Sequence, residues 1–244
     1  MKLSIVIPAY NEELRIGDCL RSIQAEILRS LCNAEIIVVN NACTDKTKEV
    51  AGSFADVRVV DESRKGLVFA RAAGFAASSG ELIANIDADT LMPEGWIPRV
   101  LKEFNDDANL VALSGPYIYY DLSLLSRGLV KVFYALGFGM YLFNHYVLKV
   151  GGMLQGGNFV VRRDALLKIN GFDTSIAFYG EDTDIARRIS HVGKVKWTFA
   201  LPMYTSGRRL QKEGIVRMGM KYAINYFWTT FFKKPFSEKY IDFR

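Results

Sequence analysis

The sequence predicts an α/β fold: a mostly parallel central sheet flanked by helices, followed by a C-terminal helical appendage. Two observations lead there. Through residues 1–115, short β-branched runs alternate with amphipathic helical patterns. Strands joined by helices of that length form right-handed crossovers, which build parallel sheets. In addition, polar clusters follow the strand-like runs directly, at residues 8–12, 40–45 and 87–89. Ligands of such sheets bind outside the carboxyl ends of the strands, so the three clusters would line one rim.

The elements follow in order. Residues 3–7 read as a buried first strand, since the apolar run is ended by Pro8 and is too short for a signal-peptide core. Residues 12–29 read as a helix, with Leu14, Cys19, Leu20, Ile23 and Ile27 near helical spacing. The continuous β-branched run at 35–39 is typical of a strand buried on both faces. Asp45 can cap a helix reaching Phe54. A strand at 57–60, an alanine-rich helix at 67–78 and a strand at 81–86 come next. Pro93 suits the first position of a helix running to Phe104, and a fifth strand spans 110–114. The second half is less regular. Residues 124–150 are apolar and aromatic, interrupted by Arg127, Lys131, His145 and Lys149, and read as helical. Gly151-Gly152 and Gly156-Gly157 bracket a loop before a strand at 159–161 and a short helix from Asp164. A helix from Glu181 to near Gly193, a strand at 194–200 and an amphipathic helix at 213–232 complete the chain.

With 244 residues, half of them hydrophobic, the chain can form one large domain, or one domain with an appendage. A net charge of +5 suits anionic lipid, a phosphorylated small molecule or nucleic acid. Without zinc-finger spacing or an arginine-rich arm, nucleic acid is set aside as a partner. Cys19, Cys32 and Cys43 are odd in number and scattered, which is neither a disulfide framework nor a metal motif and fits a reducing cytoplasm. His145 and His191 are too few for a zinc site.

Four groups of residues carry candidate chemistry. Asp87 and Asp89 flank Ala88 after a strand, so their carboxylates can converge on Mg2+ or Mn2+ completed by phosphate and water. The plainer reading is that Asp89 or Thr90 caps the next helix. Glu181 and Asp182, after Phe178-Tyr179-Gly180, can supply a general base for a hydroxyl nucleophile, or simply complement a helix start. Tyr10 can stack on a base, while Asn11, Glu12, Asn40 and Asn41 offer polar contacts or ordinary turn chemistry. Arg208 and Arg209, with Lys65 and Arg71, can grip a diphosphate or remain solvated charges. A phosphate-binding G-x-x-x-x-G-K-[ST] loop, a G-x-G-x-x-G turn and a G-x-S-x-G elbow are all missing.

Taken in order, Ser4-Ile5-Val6-Ile7-Pro8-Ala9-Tyr10-Asn11-Glu12, Val39-Asn40-Asn41-Ala42-Cys43-Thr44-Asp45, Ile86-Asp87-Ala88-Asp89-Thr90 and Gly180-Glu181-Asp182 resemble the family 2 inverting glycosyltransferases of GT-A fold. The resemblance covers roughly the first 200 residues. It implies a catalytic domain at 1–205, with a nucleotide-sugar-binding half at 1–115 and an acceptor-binding half at 116–205, then a helical extension at 206–244. It implies that Pro8, Ala9, Tyr10, Asn11, Glu12, Asn40, Asn41, Lys65, Arg71, Asp87, Ala88, Arg208 and Arg209 hold a UDP- or GDP-linked sugar. It further implies that Asp89, with Asp87, binds Mg2+ or Mn2+, and that Asp182 is the base, assisted by Glu181. The family often has aspartate and glycine-serine in the second motif, where this chain has Asn40 to Cys43, so the nucleotide's identity stays open. Some relatives supply a histidine near the end of the domain. Here Tyr204-Thr205-Ser206-Gly207-Arg208-Arg209 stands in its place, which gives the diphosphate work to arginine.

Two rival readings remain, a sugar nucleotidyltransferase and a non-catalytic membrane-surface or scaffold protein of the same fold. The expected acceptor is a saccharide or a lipid-linked one. The expected location is cytoplasmic, with peripheral contact at the inner face of the membrane, and homodimer formation is a further expectation. For membrane contact, the helix at 213–232 offers a polar stripe of Arg217, Lys221 and Asn225, followed by Lys233-Lys234. Its apolar surface comes from Ile215, Met218, Tyr222, Tyr226, Phe227, Trp228 and Phe231.

Overall fold

The computed structural model describes residues 1–143, 152–176, 180–232 and 236. His145, Lys149, Gly151, Phe178, Tyr179, Lys233 and Lys234 lie outside the described residues.

The first strand, β1 (Leu3–Ala9), is buried at every position, as expected of a central strand covered on both faces. It pairs in parallel with β2 (Ala34–Asn41) on one side and β4 (Leu82–Ile86) on the other. β3 (Val57–Glu62) adds in parallel outside β2. On the far side β8 (Asn158–Arg162) runs antiparallel between β4 and β6 (Leu110–Ser114), and β9 (Lys194–Trp197) closes the sheet in parallel with β6. The order β3-β2-β1-β4-β8-β6-β9 is the mostly parallel sheet that the alternating pattern predicts. It reverses direction of growth between β1 and β4, the usual position for a ligand crevice.

Helices cover both faces. On one face α1 (Ile16–Ser30) and α4 (Trp96–Asp106) bury Cys19, Leu20, Ile23, Trp96, Val100 and Phe104 against Ile5, Ile7, Leu82 and Ala84. On the other, α3 (Leu67–Ala77), α6 (Arg163–Lys168) and α7 (Glu181–Ile189) cover Val6, Val39, Ile83, Phe159 and Val161. α2 (Thr47–Gly52) sits beside α1.

Several boundaries differ from the sequence reading, for local reasons. α1 begins at Ile16 because the Glu12 carbonyl accepts the Arg15 and Ile16 N–H groups in a preceding turn. Leu14 sits in that turn, 82% exposed, and takes no part in the core. α4 begins at Trp96, after a turn in which Pro93 accepts the Trp96 N–H. β9 ends at Trp197, three residues before the expected limit.

A second, three-stranded sheet has no counterpart in the sequence reading. β5 (Thr90–Leu91), β10 (Met203–Thr205) and β7 (Tyr117–Tyr119) pair in the order β5-β10-β7. Thr90 faces Thr205, and Thr205 faces Tyr119. This small sheet brings the residues around Asp89 beside the loop into α8 (Arg208–Glu213).

α5 (Leu124–Phe143) packs on β9 through rings: Trp197 lies 6.0 Å from Tyr134, 5.6 Å from Phe138 and 4.7 Å from Phe199. α9 (Ile215–Phe232) contacts α5, α7 and α8. Its faces differ from the expected ones: Met218 and Asn225 are both buried, so the stripe through Arg217, Lys221 and Asn225 is partly internal. Among the described residues no helix is long and apolar enough to cross a membrane.

Candidate active site

A cleft of about 340 Å³ opens at the carboxyl ends of β1, β2 and β4. Pro8, Ala9, Tyr10 and Glu12 line it from the loop after β1, and Asn41 from the end of β2. Asp87, Ala88 and Asp89 line it from the loop after β4, Lys65 from the approach to α3, and Arg208 and Arg209 from the start of α8. Three cations and three carboxylates therefore face one cavity. Tyr117, Tyr119, Thr205, Ser206 and Tyr222 also line it; sequence reasoning gave Thr205 and Ser206 only as neighbours of the two arginines and named none of the tyrosines for the donor cleft.

Each loop is held by its own bonds. Lys65 donates to the Tyr10 hydroxyl at 2.8 Å, and its ammonium lies 4.0 Å from the centre of the Tyr10 ring. Asn41 donates to the Glu62 and Arg64 carbonyls at 3.2 and 2.7 Å and accepts the Gly66 N–H at 2.8 Å. This buried amide fixes the turn that presents Lys65. Asn11 accepts the Thr44 N–H at 2.8 Å, and its own N–H reaches the Cys43 sulfur at 3.3 Å. Asn40 donates to Asp61 at 2.8 Å. Asn11 and Asn40 lie outside the cleft lining, and their amides join the loops to each other, which is turn chemistry.

Arg208 joins three parts of the cleft. Its Nη2 lies 3.1 Å from Asp89 Oδ2 and also hydrogen-bonds Glu12 Oε1. Asp121 holds the preceding loop, accepting from the Ser206 hydroxyl at 2.7 Å and the Gly207 N–H at 2.5 Å. Arg209 donates to the Tyr222 hydroxyl at 3.4 Å, so α9 borders the cleft.

Behind Asp87 stands a second group of charges. Arg71 is fully buried on α3 and lies off the cleft wall. Its guanidinium hydrogen-bonds Glu181 Oε1 and the Gly156 carbonyl, and lies 3.7 Å from Asp87 Oδ1. Its planar face lies 5.2 Å from the centre of the Phe159 ring. Asp182 accepts the Thr183 N–H at 2.7 Å. One guanidinium thus serves a region with three carboxylates. Burial pushes Glu181 up to about 8, against the pull of Arg71 and with the push of the Asp182 and Asp87 charges. Burial likewise raises Asp182, again opposed by Arg71. Both carboxyls of this pair are thus held above their ordinary range.

The sequence reading also missed what orients Asp87. The Tyr117 hydroxyl donates to Asp87 Oδ2 at 2.8 Å, and the Tyr117 N–H donates to the Tyr134 hydroxyl at 3.0 Å. Gly157 lies against both groups: a Cβ there would stand 2.1 Å from Asp87 Oδ2 and from the Tyr117 oxygen. Gly180, at φ +85°, starts α7, and a Cβ there would meet Thr229 Oγ1 of α9 at 2.3 Å. For Gly180 the signal was its place directly before Glu181-Asp182, whereas Gly157, between Gly156 and Asn158, has no acidic neighbour in the sequence.

Comparison with known proteins follows this geometry. The profile described as glycosyl transferase family 2 matches residues 4–169, and that described as the N-terminal domain of galactosyltransferase matches residues 144–208. Glycosyltransferase AglE of Haloferax volcanii is 30% identical over 102 residues, covering 40% of this chain and 33% of that protein. The matched part spans about a third of the length of such curated relatives. Among solved structures, the mannosyltransferase PcManGT of Pyrobaculum calidifontis, in complex with GDP-Man and Mn2+, superposes with a TM-score of 0.69. It is 20% identical and covers 92% of this chain and 62% of that one. Glucosyl-3-phosphoglycerate synthase of Mycobacterium tuberculosis, in complex with Mn2+ and UDP-Glc, gives a TM-score of 0.62 at 20% identity, covering 94% and 78%. The fold is thus GT-A, as the four motifs implied. With most of its length matched by the family profile, this chain belongs to glycosyl transferase family 2.

Proposed function

We propose that the protein transfers a sugar from a UDP- or GDP-linked donor to a hydroxyl acceptor, with inversion at the anomeric carbon. The observation that carries this reading is the join between two sites. The cleft sets Lys65, Arg208 and Arg209 around Asp87 and Asp89, and Arg71 connects Asp87 to Glu181 behind it. The first group suits a diphosphate and the second a base. In this reading residues 1–115 bind the donor and 116–205 the acceptor, with 206–244 as an extension that supplies Arg208 and Arg209.

Asp182 takes the proton of the acceptor hydroxyl, whose oxygen then bonds to the anomeric carbon. The bond from that carbon to the diphosphate breaks, and its electron pair stays on the diphosphate oxygen. Lys65, Arg208 and Arg209 offset the charge that develops there. Glu181 holds the Arg71 guanidinium, whose charge favours the ionised form of Asp182. One displacement inverts the centre.

A divalent cation fits this chemistry. Asp87 and Asp89 offer the hard oxygen donors that Mg2+ and Mn2+ favour, and both carboxylates are on the cleft wall. Among the described residues no cluster of three or more His, Cys, Asp or Glu side chains is placed to hold a metal by itself. Asp89, with Asp87, would therefore hold a cation that also takes diphosphate oxygens. When bound it would lower the charge on the departing diphosphate.

The acceptor in this reading is a saccharide or a lipid-linked molecule, met from the cytoplasmic side. The test is incubation with sugar nucleotides, UDP-Glc and GDP-Man among them, in the presence of Mn2+. Released nucleoside diphosphate is the expected product. Pyrophosphate instead would mean nucleotidyl transfer, and no turnover of any donor would leave a non-catalytic member of the fold.

A further inference from the structure

Two helices of this fold carry long apolar faces that nothing in the described structure covers. On α5, Leu125, Leu129, Val132 and Leu136 recur at helical spacing, and Leu125 is 87% exposed. On α9, Val216, Met220, Phe227 and Phe231 do the same, with Met220 54% and Phe231 49% exposed. Exposed apolar patches spanning several helical turns are uncommon on soluble surfaces and mark interaction sites. The helices touch: the Phe133 ring of α5 fills the space beside Gly219 of α9. The two helices that carry these faces are therefore neighbours on the molecule.

We propose that this surface docks on an anionic lipid bilayer. Charge decides the occupant. α5 contains Arg127 and Lys131, α9 contains Arg217 and Lys221, and neither helix has an acidic residue. Lys221 is paired with Glu213 of α8 at 3.7 Å, and Arg127, Lys131 and Arg217 remain beside the apolar faces, a match for anionic headgroups above acyl chains. A second copy of the chain would bring the same cations against these, with no acid on either helix to answer them. The face on α9 is also not the one its sequence suggested, since Met218 turns inward while Val216 and Met220 turn out.

The inner side of α9 gives the docking a purpose, on the proposed transfer reaction. Tyr222 lines the donor cleft, and Thr229, two turns further on, packs on Gly180 beside Glu181. One helix thus touches the cleft, the turn carrying the base, and the outer apolar face. A bilayer against that face brings lipid-borne hydroxyl acceptors to the same end of the molecule.

The test is co-sedimentation with phosphatidylglycerol–phosphatidylcholine vesicles and with phosphatidylcholine vesicles, at low and high salt and without donor. The pairs Leu129→Ser/Leu136→Ser and Phe227→Ser/Phe231→Ser remove one apolar face each and lie outside the cleft. We expect binding to the anionic vesicles that high salt weakens, and a loss of roughly tenfold or more in partitioning for each pair. Unchanged melting of the variants would show that both still fold. Wild-type protein left in the supernatant with anionic vesicles at low salt overturns the proposal, as do variants that bind like wild type. Dimers in sedimentation velocity that these same substitutions dissolve, without vesicle binding, would assign the surface to a second copy and also overturn it. Donor binding, titrated on the same preparations, reports on the transfer reading separately.

Discussion

Arg71 on α3 and Glu181 at the start of α7 form an ion pair in the interior, with 1% and 6% of their side-chain surface exposed. The pair ties α3, beside Asp87, to the start of α7, which carries Asp182. Removing one partner of such a pair leaves a charge without water and without a counter-ion, at about 3–5 kcal/mol. Removing both together costs much less.

Arg71→Met is therefore expected to cost most at alkaline pH, where Glu181, pushed up to about 8, is ionised and would be left unpaired, and less at neutral pH, where it can hold a proton. Arg71→Met/Glu181→Gln should recover a large part of the loss in urea denaturation. The loss from Arg71→Met should also shrink as pH falls, because protonation removes the stranded charge. A double variant no more stable than the single one would show that the two side chains are not coupled.

Asp182→Asn should keep donor binding while slowing transfer by roughly 100-fold or more, the usual cost of losing a general base. The raised carboxyls add a pH signature. Transfer needs the base ionised, so kcat/KM should climb with pH over a range above that of ordinary carboxyls. Stability has the opposite trend for Glu181. Its folded pKa, about 8, exceeds its ordinary 4.5, so the contribution is full below 4.5 and is lost as pH rises through 8. Glu181→Gln should flatten that part of the stability profile. An acid limb in the ordinary carboxyl range would contradict the assignment of the base.

The main sheet was legible because its strands are long, β-branched and separated by amphipathic helices. The three clusters after β1, β2 and β4 could be placed on one rim for the same reason. The small sheet was not legible: Thr90–Leu91, Tyr117–Tyr119 and Met203–Thr205 are two or three residues long, too short for a period to register. Yet that sheet sets Tyr117 on Asp87 and brings Arg208 to Asp89. Arg71 was misjudged in a related way. Its sequence context, an alanine-rich helix near a lysine, does not reveal that its face turns inward to meet a carboxylate 110 residues away.

Asp89 faces Arg208, and both face the cleft, so the pair reports on metal and diphosphate together. Asp89→Ala should abolish turnover while the fold survives, since Arg208 keeps Glu12 as a partner. Excess EDTA should inactivate the wild type, and Mn2+ or Mg2+ should restore it. Arg208→Gln should weaken binding of a nucleoside diphosphate in calorimetry, because a charge-assisted contact is lost. Full turnover in EDTA would remove the cation from the scheme and leave Arg208 as the neutralising group.

The same substitution, glycine to alanine, should have opposite outcomes at two positions. Gly128 lies on α5, where an added Cβ meets nothing within 4 Å. Alanine is the better helix former, so Gly128→Ala should stabilise the protein by about 0.5–1 kcal/mol. At Gly157 an added Cβ would stand 2.1 Å from Asp87 Oδ2 and from the Tyr117 hydroxyl. Both must move, and they are hydrogen-bonded to each other at 2.8 Å. Gly157→Ala should therefore cost roughly 1–3 kcal/mol by overpacking and turn Asp87 away from the cleft. Tyr117→Phe separates the two effects, since it removes the hydrogen bond and keeps the volume. Its donor KM should rise with little change in melting, while Gly157→Ala should change both. If Gly157→Ala left donor KM and melting as in wild type, the close approach of this backbone to Asp87 would not be what orients the carboxylate.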